Sequence, residues 1–121
     1  MITLKTLPTS TAQEVFDTVY AHLLKQNQKS RSTNNENSCM YRGSNSLKCA
    51  AGCLIADDEY SYDMEYLLWA TLAAKGLVPS NHVDLIRSLQ DIHDSYKPSN
   101  WKSELSILAT NLNLTISSLT T

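Results

Sequence analysis

No run in the chain approaches the roughly 18 apolar residues of a membrane span, and the opening MITLKTLPTSTAQEVF lacks the long apolar core of a secretory signal. Those absences argue against a membrane helix and point to the reducing cytoplasm. Positive charge is not in surplus. Ten basic against twelve acidic residues give a formal charge of -2, so no field gathers a polyanion and nucleic acid is not an expected partner. Charged residues amount to only 18%, with Asn and Ser supplying polarity instead. There are three glycines, and no G-x-G-x-x-G, no phosphate loop ending in Lys and Ser or Thr, no H-E-x-x-H and no zinc-deaminase signature. With those motifs missing, a non-enzymatic role leads.

What is present reads as one domain over residues 1–121, with 42% apolar residues and a length that buries about two thirds of the unfolded surface. Thr11-x-x-Glu14 forms a capping box ahead of Ala12, Val15, Phe16, Val19 and Leu23, which predicts a helix over 11–26. Residues 27–38, NQKSRSTNNENS, contain nothing apolar and read as an exposed polar loop. A second helix is expected from about Asp63 to Lys75, stopped by Gly76, and a third from Pro79 and Ser80 through Ile92. Pro98 ends that helix, and Ser99 or Asn100 caps a fourth carrying Trp101, Leu105, Leu108, Ala109 and Leu112. Residues 113–121 are either an edge strand or a frayed tail. The fold class is mainly α: a compact bundle of about four helices, with a small central β-hairpin built from Cys39–Arg42, a turn at 43–46 and Leu47.

The chemistry-bearing residues concentrate between Cys39 and Tyr62, CMYRGSNSLKCAAGCLIADDEYSY, which holds all three cysteines and two of the three glycines. The spacing C-x9-C-x3-C falls short of the paired four-ligand pattern of structural zinc, so no metal or other cofactor is expected. Zinc remains an alternative, with Cys39, Cys49, Cys53, His82 and His93 as its candidate ligands. Cys49, Gly52 and Cys53 lie among Ala, Leu and Ile, and the structural reading makes them a helical packing point where Gly52 admits another backbone. If the protein were an enzyme, Cys49 would be its nucleophile, with His93 and Asp94 as base and orienter. Asp57, Asp58, Glu59 and Asp63 lack the glycine and spacing of a calcium loop. For an interaction surface the candidates are Tyr41, Arg42, Asp58, Tyr60 and Trp101, because tyrosine, tryptophan and arginine bury large area with few rotors.

The blocks CMYR, LKCAAGCLIADDEY (Leu47 to Tyr60) and LQDIHD (Leu89 to Asp94), with Trp101 and the opening AQEVFDTVYAHLLKQ, resemble a family of small uncharacterised bacteriophage and prophage proteins. That resemblance implies an accessory protein that binds and modulates a bacterial host protein, such as a defence component. It brings forward Tyr41, Arg42, Cys49, Gly52, Cys53, Asp57, Tyr60, His93, Asp94 and Trp101. A cysteine-dependent enzyme, a zinc-stabilised binding module and a binder of a small signalling ligand stand as alternatives. A monomer or a C2 homodimer fits a chain of this kind.

Overall fold

The structure, a computed structural model, describes residues 2–31 and 39–116. Four helices form a compact, mainly α bundle: α1 Ala12–Gln26, α2 Trp69–Ala74, α3 Val83–Ser95 and α4 Pro98–Asn111. Helix α1 packs on α3 and α4, α3 packs on α4 and α2, and α1 also meets a short helical turn at Gly52–Leu54. The capping box is formed: Thr11 Oγ1 accepts from Glu14 N–H at 3.1 Å, and Glu14 Oε1 accepts from Thr11 N–H at 2.8 Å. Val15, Phe16, Val19, Tyr20 and Leu23 then fall on the buried face of α1. Ile86 and Leu89 of α3 and Trp101 and Leu105 of α4 complete the centre of the core.

Three helix starts differ from the sequence expectation, each for a local reason. Helix α2 begins at Trp69 rather than near Asp63, because Glu65 turns inward, Tyr66 takes a left-handed backbone with φ 65° and Leu68 is extended. Its end is as the sequence predicts, with Gly76 at φ 75°. Helix α3 begins at Val83, because His82 also takes a left-handed backbone and its Nε2 lies 2.7 Å from the carbonyl of Ser10. Helix α4 begins at Pro98 itself, with the extended Lys97 at its cap, rather than after a cap at Ser99 or Asn100; α3 has ended at Ser95, ahead of the proline as the sequence predicts.

No strand occurs among the described residues, so the central hairpin is not formed. Only an isolated antiparallel bridge joins Arg31 to Cys39. The N–H groups of Tyr41 and Arg42, which a ladder would need, instead donate to the two oxygens of Glu65 at 2.9 and 3.0 Å. Ser30 departs from the expected exposed loop. It is fully buried, its N–H donates to His93 Nε2 at 3.0 Å, and its hydroxyl donates to Met40 O at 2.7 Å. Residues 32–38 and 117–121 lie outside the described residues. Within the expected tail, Thr115 is tied to α1: its N–H donates to Gln13 Oε1 at 2.9 Å, and its carbonyl accepts from Gln13 Nε2 at 2.8 Å.

Candidate functional site

The central segment is irregular, so its backbone groups need side-chain partners. Two carboxylates, Glu59 and Glu65, supply several of the acceptors. Glu59 accepts from the N–H groups of Leu4, Lys5 and Ala56; burial works upward on this carboxyl, but those bonds outweigh it and leave it below the usual range. Glu65, 5% exposed, accepts from Tyr41 N–H, Arg42 N–H and the Tyr60 hydroxyl. Arg42 does the complementary work. Its guanidinium donates to the carbonyls of Gly52 at 2.8 Å and Ile55 at 2.7 Å, closing the turn at 52–54 much as a cation closes a helix end. It also meets Asp57 at 3.1 Å and lies over the Tyr60 ring at 5.0 Å. A Cβ at Gly52 would sit 2.3 Å from the Tyr41 carbonyl oxygen. Two backbones therefore cross there with no space for a side chain.

The expected interaction residues are spread between core and surface. Tyr41 is buried, and its hydroxyl donates to the Leu67 carbonyl. Trp101 is fully buried, with its indole N–H donating to Tyr96 O at 3.0 Å. Arg42 is largely covered by the contacts just described, Tyr60 is half-buried and Asp58 is exposed.

Among the candidate nucleophile and ligand residues, the structure brings Cys39, not Cys49, to His93 and Asp94. Cys39, His93 and Asp94 each offer one ligand atom within 4.8 Å of the others, a set that can coordinate a metal ion. Asp94 was not among the ligands expected for zinc. Cys49 is buried and its sulfur accepts from Gly52 N–H at 3.3 Å. Cys53 donates to Ala50 O, and His82 is turned to Ser10.

The proton positions in the cluster follow from its donors. Ser30 N–H points at His93 Nε2, so the imidazole proton sits on Nδ1, which donates to Asp94 Oδ1 at 2.7 Å. Gln90 Nε2 donates to the same oxygen at 2.7 Å, while Gln90 Oε1 accepts from Ala51 N–H at 2.9 Å. The His93 ring stacks on Trp101, with centroids 5.4 Å apart. Burial raises the Asp94 carboxyl, but the hydrogen bonds from His93, Cys39 and Gln90 outweigh it and hold the group below its usual range. Burial first, and the Asp94 charge second, push the Cys39 thiol up to about 11. Burial likewise pushes Cys53 up to about 12 and Cys49 further. None of the three is activated as a thiolate nucleophile needs to be.

Beside this cluster lies a cavity of about 210 Å³ between α2, α3 and the central segment. Cys39, Cys49 and Asp94 line one side, Tyr41 and Trp69 form an aromatic wall, and Arg87 and Asp91 stand at a polar edge. Tyr41 and Trp69 meet edge to face at 6.3 Å. Tyr66 and Leu68, 63% and 72% exposed, belong to the same lining. Trp69 is 3% exposed, and its indole Nε1 is the one buried side-chain nitrogen or oxygen among the described residues that has no hydrogen-bond partner. Sequence reading missed Glu65, Ser30 and Trp69. Glu65 and Trp69 carry the usual signatures of a helix margin, and nothing in the order of residues tells which polar groups will meet.

Fold and site together define a small helical domain with a Cys/His/Asp cluster beside an aromatic-walled cavity. No protein-family model, curated protein or solved structure matches the chain. Among the described residues, no helix is long and apolar enough to cross a membrane.

Proposed function

We propose that this chain is a small-molecule-binding domain of the cytoplasm, where its three free thiols remain reduced. The observation that carries this reading is the Trp69 indole N–H, buried without an acceptor in a residue that lines the cavity. A buried donor left unpaired costs about 1–3 kcal/mol, and a ligand acceptor relieves that cost. Apolar walls with a few polar groups are the general make-up of small-ligand pockets. The cavity volume of about 210 Å³ exceeds the about 150 Å³ that accommodates benzene in an engineered protein core. The ligand class is therefore a single-ring molecule with a hydrogen-bond acceptor, such as a small heteroaromatic or phenolic compound.

The two tryptophans provide an internal control, since Trp101 Nε1–H is already bonded to Tyr96 and Trp69 Nε1–H is not. In a proton–nitrogen correlation spectrum, a panel of single-ring heteroaromatic fragments should include members that move the Trp69 indole signal and leave that of Trp101. If no fragment moves it, or both signals always move together, the reading fails.

A second reading keeps the bacterial host protein that the phage-like blocks imply as the partner. Its support is the exposure of Tyr62, Tyr66 and Leu68, at 65%, 63% and 72%, in one short segment. Capture from a bacterial lysate would have to yield a partner that the native chain retains and a Leu68→Glu variant loses; identical capture by both counts against it.

A further inference from the structure

The cluster at the end of α3 does not involve the unpaired indole, and it supports a separate conclusion. We propose that Cys39 Sγ, His93 Nδ1 and one carboxylate oxygen of Asp94 bind a divalent ion of the zinc class, with the fourth position open to the cavity. One ligand atom from each of the three residues already lies within 4.8 Å of the others, and His93 Nδ1, the ring nitrogen not taken by the Ser30 amide, is 2.7 Å from Asp94 Oδ1. Cys39 and Asp94 also line the cavity, so an exogenous ligand or water there has access to the remaining position.

The donor set selects the ion. A thiolate and an imidazole suit zinc and its borderline-soft neighbours, whereas calcium and magnesium take oxygen ligands. Three protein ligands with one position left over is the arrangement of zinc sites that exchange a ligand, not of closed structural ones. Charge agrees as well. A thiolate and a carboxylate together cancel the charge of a dication, which matters beside the fully buried His93 and Trp101. The supports of two ligands are already built: Gln90 holds Asp94 while anchored on Ala51 N–H, and Trp101 stacks on the His93 ring.

Loading has a defined proton balance. Without metal the imidazole proton is on Nδ1, between His93 and Asp94, because Ser30 N–H occupies Nε2. A metal on Nδ1 moves that proton to Nε2, and the Ser30 amide, now facing another donor, turns away. The Cys39 thiol proton goes to solvent. One proton is thus released per ion bound, and the tautomer of His93 inverts.

The test is titration of cobalt(II), and then zinc, into the full metal-free chain at neutral pH. The expected result is one ion per chain, a thiolate-to-cobalt charge-transfer band, one proton released per zinc, and transfer of the His93 proton from Nδ1 to Nε2 in nitrogen-15 spectra. Cys39→Ser should abolish the band, Cys53→Ser should keep it, and Asp94→Asn should weaken binding by at least about tenfold. Circular dichroism checks that each variant is folded, and substitution of the buried His93 is avoided. Absence of the band, its survival in Cys39→Ser, or a His93 proton that stays on Nδ1 overturns the assignment. The Trp69 signal reports on the cavity in the same spectra, so failure of the metal site and failure of the small-molecule reading are separately visible.

Discussion

The shell of α1, α3 and α4 and the segment from Cys39 to Leu68 both feed the core, yet they are held by different forces. The helices satisfy their own backbone groups and bury apolar stripes, so their cohesion is mainly the removal of Phe16, Ile86, Leu89, Trp101 and Leu105 from water. The central segment has no ladder and no long helix. The amides of Tyr41 and Arg42 are collected by Glu65 and the carbonyls of Gly52 and Ile55 by Arg42, each partner ten or more positions away, while Glu59 holds Ala56 locally and ties the segment to the amides of Leu4 and Lys5. The shell should therefore respond to lost volume, and the centre to lost polar partners and to added atoms.

The largest effect expected is in the shell. Trp101→Ala removes the stacking partner of His93 and should cost about 3–5 kcal/mol in urea unfolding; a loss under about 1 kcal/mol would erase the contrast. Next comes Gly52→Ala, a change that adds a single methyl group. Because its Cβ meets a backbone oxygen rather than the end of a flexible side chain, the cost should reach the upper end of the about 1–3 kcal/mol typical of overpacking. Ala50→Gly, in contrast, should add no clash, and comparison of the two melting curves separates crowding from loss of a small residue.

Glu65→Gln keeps the shape but exchanges one acceptor oxygen for a donor nitrogen that must face an N–H or O–H. About 1–3 kcal/mol should be lost, and the loss should be local. Hydrogen exchange at the Tyr41 and Arg42 amides should speed up while the middle of α1 stays protected; equal acceleration in both regions would show that the centre and the shell unfold as one.

The smallest effect is a pH dependence at the seam between the two regions. His22 of α1 donates from Nε2 to the carbonyl of Lys48 at 2.9 Å, and burial lowers its pKa below the ordinary 6.5, with the positive neighbours Lys48 and Arg42 acting in the same direction. The unfolded chain then binds the extra proton first. The stability contributed by neutral His22 is complete above about pH 6.5 and is lost as pH falls toward the folded-state value. Thermal midpoints measured from neutral to mildly acidic pH should decline less steeply in His22→Gln than in the native protein, and parallel curves would remove His22 from the account.

Parts of the shell are legible because their signals are local. The Thr11 and Glu14 pair places the start of α1 within one residue, and Gly76 marks the end of α2. The period of Leu85, Ile86, Leu89 and Ile92 gives the buried face of α3. The start of α2 is not legible, because Met64, Leu67 and Leu68 keep helical spacing although Glu65 has been drawn away to serve Tyr41 and Arg42. The hairpin expectation fails for the same reason: strand-like residues at 39–42 have their amides engaged elsewhere. Of the candidate site, the sequence offered His93 and Asp94 as neighbours and named Cys39 and His93 among the zinc candidates, which the fold brings together. As partners of a nucleophile it paired His93 and Asp94 with Cys49, whereas the fold delivers Cys39.

By itself the sequence determined the mainly α character, the four-helix count, the capped first helix and the scarcity of any charge field, since these depend on composition and on residues three or four apart. The tertiary structure alone decided that Ser30 would fix the tautomer of His93 from 63 positions away. It also decided that Glu65 would point inward and that the Trp69 indole would be buried without a partner. Hydrogen-bond partners of that separation are chosen by how the helices pack, and a polar side chain carries no local mark of which distant backbone group it will meet.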